Sequence, residues 1–195
     1  MSPGHVTPLP HPSDDLRVRH LASSDLQPAE VAAIRALMTA AFGDDEEEGF
    51  DDTDWEHAQG GVHVVVDSGG EIVAHAAVVD RTLHVAGHPI RTGYVEAVAT
   101  APARQGTGLG TVAMREIGAL IEGSYELGAL GTGSHHFYER LGWQTWRGPL
   151  FVRAQDGERR TPDDDGYLMV LTTARTPPLD LAAPIRCDWR PGDVW

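Results

Sequence analysis

Leu16-Arg-Val-Arg-His-Leu21 alternates apolar and polar positions, which predicts a strand with one buried face. From Pro28 the spacing changes: Val31, Ile34, Leu37, Met38, Ala41 and Phe42 fall on one stripe of a helix and read as core. Thr53-Asp-Trp-Glu56 is a capping-box pattern that predicts a short helix reaching Gln59 and ended by Gly60-Gly61. Val62 to Asp67 and Glu71 to Val85, joined by Asp67-Ser-Gly-Gly70, predict an antiparallel pair, and Ala86-Gly-His-Pro89 turns the chain into a third long strand, Ile90 to Thr100. A helix follows on Leu109, Val112, Met114, Ile117, Leu120 and Ile121, then a short buried strand from Leu127 to Leu130. Ser134 is placed to cap a helix through Arg140 that Gly142 stops. Strands are expected near Trp143 to Trp146 and Tyr167 to Thr172, with a polar loop from Ala154 to Gly166 and an irregular, Pro-rich end from Thr176. Residues 1–14, with four prolines, read as a tail and residues 15–195 as one domain. This order gives an α+β architecture with a largely antiparallel sheet.

Composition narrows the partners. The 195 residues carry 29 Asp and Glu against 15 Lys and Arg, a formal charge of −14, and all 15 cations are arginine. Eight acidic side chains fall between Asp44 and Asp54. Such a balance argues against a nucleic-acid partner, which needs a basic face, and favours a cationic one. Absent lysine removes the Walker phosphate loop and Schiff-base chemistry. The single cysteine, Cys187, excludes an internal disulfide or a cysteine zinc cluster and reads as a packed thiol. The ten histidines include no Glu-x-x-His pair and no His-x-x-x-His pair on a predicted helix, His84 and His88 falling across the Ala86 to Pro89 turn, so no metal is expected. No apolar run approaches the roughly 20 residues of a membrane span, and no secretory signal opens the chain, so a cytoplasmic protein without a membrane partner is expected.

The most informative segment is Gln105-Gly106-Thr107-Gly108-Leu109-Gly110, between a strand and a helix. Glycines let backbone approach a ligand, and the helix N-terminus offers unpaired N–H groups and a positive dipole end, an anion site that needs no cationic side chain. The third glycine comes one place early for a dinucleotide loop. Gln105, Gly108 and Gly110 instead satisfy Gln/Arg-x-x-Gly-x-Gly/Ala, which resembles the pyrophosphate loop of the GNAT acetyltransferases, where acetyl-CoA binds. Phe137-Tyr138-Glu-Arg-Leu-Gly-Trp143 is similar to the segment that brings a tyrosine near the CoA sulfur in that superfamily. The resemblance implies a mixed, largely antiparallel sheet flanked by helices and splayed at the acetyl-CoA site.

Further segments narrow the resemblance. Thr53-Asp-Trp-Glu-His57, Ala74-His-Ala-Ala-Val78, Gly93-Tyr-Val-Glu-Ala-Val98, Arg160-Thr-Pro-Asp-Asp-Asp-Gly166 and the ending Cys187-Asp-Trp-Arg-Pro-Gly-Asp-Val-Trp195 resemble the aminoglycoside 2′-N-acetyltransferases. That family implies acetyl transfer to the 2′-amine of the antibiotic, conferring resistance, in a homodimer. Glu96, a carboxylate in an apolar strand, then becomes the general base, acting through water, and Tyr138 the general acid. Backbone N–H groups of Val98, Ala99 and Thr100, with the loop Gln105 to Gly110 (Gln105, Gly106, Thr107, Gly108, Leu109, Gly110), receive acetyl-CoA. Asp164, Asp193 and the Trp195 carboxylate hold the polycationic sugar, joined by an acidic-loop residue that Asp44, Asp45 or Glu48 could supply. Asp54 falls within the capping pattern and reads as structural. Two alternatives stay open: a GNAT enzyme for another amine, such as a polyamine, cell-wall amino sugar or peptide N-terminus, and a non-catalytic acyl-CoA-binding module.

Overall fold

The computed structural model describes residues 16–43 and 49–195. The N-terminal tail and the acidic-loop candidates Asp44, Asp45 and Glu48 lie outside the described residues. Strand β1 (Leu16–Ala22) leads to helix α1 (Pro28–Phe42) and the short α2 (Asp52–His57). Three long strands follow, β2 (Val62–Ser68), β3 (Glu71–Val85) and β4 (His88–Thr100). Helix α3 (Leu109–Ser124) crosses to β5 (Leu127–Gly131), and α4 (His135–Glu139) follows. The chain ends in β6 (Gln144–Thr145), β7 (Leu150–Ala154), β8 (Gly157–Arg160), β9 (Leu168–Thr172) and β10 (Ile185–Asp188).

These form one mixed sheet in the order β6-β9-β5-β4-β3-β10-β7-β8, with β2 also on β3 and β1 outside β2. Strand β3 is long enough to serve two neighbours on one edge: Glu71 to Val78 pair with β2, and His84 and Val85 with β10. Two pairs are parallel, β4–β5 and β7–β10, and the others antiparallel. The run Val64, Val65, Val66 is buried on both faces because α1 covers one side of β2 and α3 the other. Opposite it, β3 is alanine-rich (Ala74, Ala76, Ala77), which lets both helices approach the sheet. A second core, around Leu83, Ile90, Trp146, Leu150 and Ile185, closes the other end of the molecule.

The α+β architecture, the three central strands and the α3 crossover match the sequence expectations; several local expectations do not. The cap of α2 is Asp51, whose carboxylate accepts from the Asp54 N–H while Asp54 accepts from the Asp51 N–H; Thr53 lies inside the helix. The longer run of acidic residues supplied a better-placed cap than the Thr-x-x-Glu spacing. Ser134 starts α4 without a side-chain cap bond; the Thr132 hydroxyl instead accepts from its N–H. The expected loop from Ala154 to Gly166 contains β8, an exposed edge strand (Gly-Glu-Arg-Arg) with no apolar face to reveal it. The Pro-rich end contains β10, whose Ile185 and Cys187 are wholly buried between β3 and β7.

Candidate active site

Strands β4 and β5 pair through only three positions, Thr92–Leu127, Gly93–Gly128 and Tyr94–Ala129. Beyond Tyr94 they separate: β5 continues along β9, and β4 continues along β3 without a β5 partner. The wedge between them is an open cleft of about 930 Å³. Along β4 the register against β3 shifts, with Ala77 opposite Glu96 but His75 opposite Ala99, so β4 carries one extra residue. Ala97 takes a left-handed φ of 52°, unusual for a residue with a Cβ.

One end of the cleft is backbone. Val98, Ala99 and Thr100 line it with Gln105, Gly106, Gly108, Leu109 and Gly110. Gly108 caps α3 at φ 91°, and the first N–H groups of this 16-residue helix open toward the cleft without intrahelical partners. Gly110 has a separate reason to lack a side chain: a Cβ there would stand 3.0 Å from Thr100 Oγ1, filling the floor between strand and helix. Thr107 does not line the cleft, since its hydroxyl turns back to donate to the Arg104 carbonyl at 2.6 Å. A cradle of N–H groups and glycines at a helix dipole suits a pyrophosphate.

Tyr138, on α4, lies in the middle of the wedge, only 8% exposed and edge-on to Phe137 and Trp143. Burial, with a smaller contribution from Tyr167, pushes its phenol up to about 12, so the hydroxyl keeps its proton throughout the physiological range. Glu96 also lines the cleft and is nearly buried. Its Oε1 accepts from Arg190 Nη1 at 2.6 Å, and its other oxygen has no hydrogen-bond partner among the described residues.

The opposite end is built by the last residues of the chain, held from several sides. Arg190 Nε donates to the Asp193 carbonyl at 2.7 Å, and Arg81 donates to the Val194 carbonyl at 2.9 Å while lying over the Tyr94 ring. The buried Cys187 thiol points at that same carbonyl. His57 Nε2 lies 2.8 Å from the Pro191 carbonyl, and Trp195 Nε1 donates to Thr161 Oγ1 at 3.1 Å. Trp195 is 6% exposed, and its carboxyl carbon lies 3.3 Å from where a Cβ of Gly131 would stand, at the tip of β5. The segment from Arg190 to Trp195 is thus fixed at the mouth of the splay.

Asp193 lines this end of the cleft with Asp54, and Asp164 lies close enough to Asp193 to feel its charge. Burial raises the titration of both Asp54 and Asp164 above the usual carboxylate range, and the Asp193 charge raises both further. Three carboxylates and Trp195 therefore gather beside Arg190, a cation already paired with Glu96. That arrangement is unfavourable empty and favourable around a polycation.

Sequence reasoning named Asp164, Asp193 and Trp195 but read Asp54 as a cap alone; it is a cap and also faces the cleft. It gave no role to Arg190, because nothing local connects it with Glu96, 94 positions away. Nor did it single out His63 and His75, although imidazoles inside Val-His-Val-Val-Val and Val-Ala-His-Ala-Ala are buried polar groups that must find partners.

Strands that part beside a glycine loop and a helix N-terminus leave a slot with the shape and N–H lining that a phosphorylated, extended arm requires, the arrangement expected of a GNAT acetyltransferase. Comparison with known proteins agrees. A family model described as acetyltransferase (GNAT) domain matches residues 23–146. The curated aminoglycoside 2′-N-acetyltransferase of Mycolicibacterium fortuitum is 41% identical over 181 residues, 91% of either chain. Among solved structures, a GNAT acetyltransferase from Brucella melitensis in complex with acetyl-CoA shares the fold at TM-score 0.57 and 20% identity, covering 84% of this chain and 91% of its own. YhbS from Escherichia coli, solved with CoA, does so at TM-score 0.60 and 17% identity, covering 94% and 93%. The chain belongs to the GNAT acetyltransferases, in the family of the aminoglycoside 2′-N-acetyltransferases.

Proposed function

We propose that this enzyme transfers the acetyl group of acetyl-CoA to the 2′-amine of aminoglycosides in a ternary complex. The observation that carries this reading is the gathering of Asp54, Asp164, Asp193 and the Trp195 terminus at one end of a cleft whose other end is an N–H-lined anion cradle. A donor with a pyrophosphate fits one end, a polyamine the other, and the splayed β4 lies between them. The M. fortuitum relative, named for the 2′-amine, supports the acceptor and the position acetylated.

The residues divide the chemistry accordingly. The carboxylates hold the cationic rings by charge-assisted hydrogen bonds. Glu96, whose second oxygen is unengaged, removes a proton from the 2′-ammonium, through water where the distance requires it. The freed amine attacks the thioester carbonyl, and β4 N–H groups around Val98 to Thr100, unpaired on the β5 side, stabilise the charge that develops on its oxygen. Tyr138 supplies the proton to the departing thiolate; its raised titration keeps that proton available at working pH. No step requires a covalent enzyme intermediate.

A thiol-release assay tests the reading with two aminoglycosides, one bearing a 2′-amine and one a 2′-hydroxyl. Turnover of the first alone is expected. Equal turnover of both overturns the 2′ assignment, and turnover of neither overturns the aminoglycoside assignment.

A further inference from the structure

The extra residue in β4 decides where the reactive groups point. In a regular strand, Val95, Ala97 and Ala99 would share one face. Here Val95 packs in the core beneath α3, whereas Ala97 and Ala99 pack in the core beneath α1. The bulge therefore reverses the alternation: Glu96, opposite Ala77, stays on the α1 side, while Val98 packs toward α3 and Thr100 lies beside Gly110. A left-handed residue with a Cβ costs about 1–2 kcal/mol and persists only where its surroundings enforce it.

The enforcing group is on the page. The Ala97 carbonyl, turned out of the ladder, is met by His75 Nδ1 at 2.7 Å. A carbonyl only accepts, so this nitrogen carries the proton, and in a neutral ring His75 Nε2 is then an acceptor. It lies 2.9 Å from His63 Nδ1, which must donate, leaving His63 Nε2 to accept from the Ser23 hydroxyl at 2.9 Å. The Gly61 N–H donates to Ser23 Oγ at 3.2 Å and starts the chain. The Ser23 hydroxyl also lies 3.2 Å from the Gly61 carbonyl, but the neutral His63 ring takes the hydroxyl's one proton at the shorter separation, and with that choice the donors and acceptors run in one direction across β2, β3 and β4. Both imidazoles are wholly inaccessible to solvent, with the Trp55 ring 5.7 Å from His63. Burial also lowers their titration, to about 4 for His63 and about 3 for His75, which keeps both rings neutral as the directions require. A metal is not what joins them, since their nitrogens are at hydrogen-bond separation from each other.

We propose that His63 and His75 are positioning residues: a one-way hydrogen-bond relay from Ser23 that fixes the Ala97 bulge and so aims Glu96 at the acceptor amine. The proposal rests on the reading of Glu96 as the base, and its test separates the two. In the intact protein with 15N-labelled histidine, NMR at pH 7 should show His63 and His75 neutral and protonated at Nδ1. Either ring protonated at Nε2, or charged, overturns the relay whatever Glu96 does.

Kinetics supply the second arm. His75→Asn retains an N–H donor in the place of Nδ1 and should keep kcat within about threefold, whereas His75→Leu, similar in bulk without a donor, should lower kcat by roughly 10- to 100-fold, the scale of a misaimed reacting group. The aminoglycoside KM should change little, because the carboxylates that hold the substrate lie elsewhere. In a Glu96→Gln background, His75→Leu should change kcat less than about twofold, since the group it aims is gone. Equal losses in both backgrounds, or wild-type kcat in His75→Leu, overturn the proposal. Wild-type activity in Glu96→Gln alone would overturn the base assignment and leave the tautomer result standing. Should both His75 variants fail to fold, the NMR measurement decides.

Discussion

Asp193→Asn should make the free enzyme more stable and a worse catalyst. The Asp193 carboxylate accepts no hydrogen bond among the described residues; Arg190 holds its backbone carbonyl, which asparagine keeps. Its charge raises the titration of Asp54 and of Asp164, each already raised by burial. A carboxyl raised on folding binds its proton more tightly in the folded state. The associated stability is full in acid, below the unfolded pKa, and is lost as pH rises through the raised folded value. At neutral pH the wild-type protein therefore carries the cost of like charges held together. Both neighbours are half-buried at the edge of an open cleft, so each repulsion is still partly solvent-screened and worth about 0.5 kcal/mol, or about 1 kcal/mol together. For a chain of this length that is a gain of roughly 2–4 °C in Tm, readable by calorimetry at pH 7.5 without substrate. Against a cationic sugar the same substitution removes a charge-assisted hydrogen bond of about 1.5–3 kcal/mol, so the aminoglycoside KM should rise about 10- to 150-fold. The acetyl-CoA KM should stay near wild type, because Asp193 is at the other end of the cleft. Added aminoglycoside should raise the wild-type Tm more than the variant's. A lower Tm in Asp193→Asn, or an unchanged aminoglycoside KM, would refute the argument that these carboxylates are held in repulsion for a polycation.

Tyr138→Phe preserves the packing against Phe137 and Trp143, so it should lower kcat about 100-fold or more, the scale of general-acid loss, with both KM values near wild type; unchanged kcat removes the acid role. Appending Gly-Ser after Trp195 moves the terminal charge while leaving the indole on Thr161. The aminoglycoside KM should then rise about tenfold or more with Tm within about 2 °C of wild type, and a matching loss of acetyl-CoA affinity would show that the cleft itself had deformed. Acid should unfold the protein early. His63 and His75, lowered by burial to about 4 and about 3, contribute stability that is present above the ordinary histidine pKa of 6.5 and lost as pH falls toward those values. Each should contribute a slope near 1.4 kcal/mol per pH unit across that window, and His63→Gln should flatten the fall of Tm between pH 6 and pH 4.5.

Much of the fold is legible because it is written locally. The β2 to β4 meander, the α3 stripe and the glycine loop each announce themselves in a short window through period, turn residues or a helix start. What escaped is what only tertiary contacts create. β8 has the composition of a loop and becomes a strand by pairing with β7; β10 is four residues whose burial is decided by β3 and β7. The splay is similarly non-local. Nothing in Tyr94-Val-Glu-Ala-Val98 says that β5 will leave β4 after Tyr94, and that departure is what frees the backbone for chemistry.

The site divides along the same line. The proposed donor end lies within one stretch from Val98 to Gly110; its glycine loop is legible in spacing, and Val98 to Thr100 follow from the family resemblance. The proposed acceptor end joins Asp54, Glu96, Asp164 and residues 190–195, and Arg190 is the piece that ties them together. One guanidinium holds the Glu96 carboxylate through Nη1 and the Asp193 backbone through Nε. The group proposed to move a proton and the segment proposed to hold the sugar are thereby fixed to each other at hydrogen-bond precision. A formal charge of −14 spread over a surface would only keep such a protein soluble. Here a few of those charges are gathered at one end of a cleft, with Arg190 already engaged by Glu96, and in the proposed function it is that local confinement, rather than the net charge, that selects a polycation.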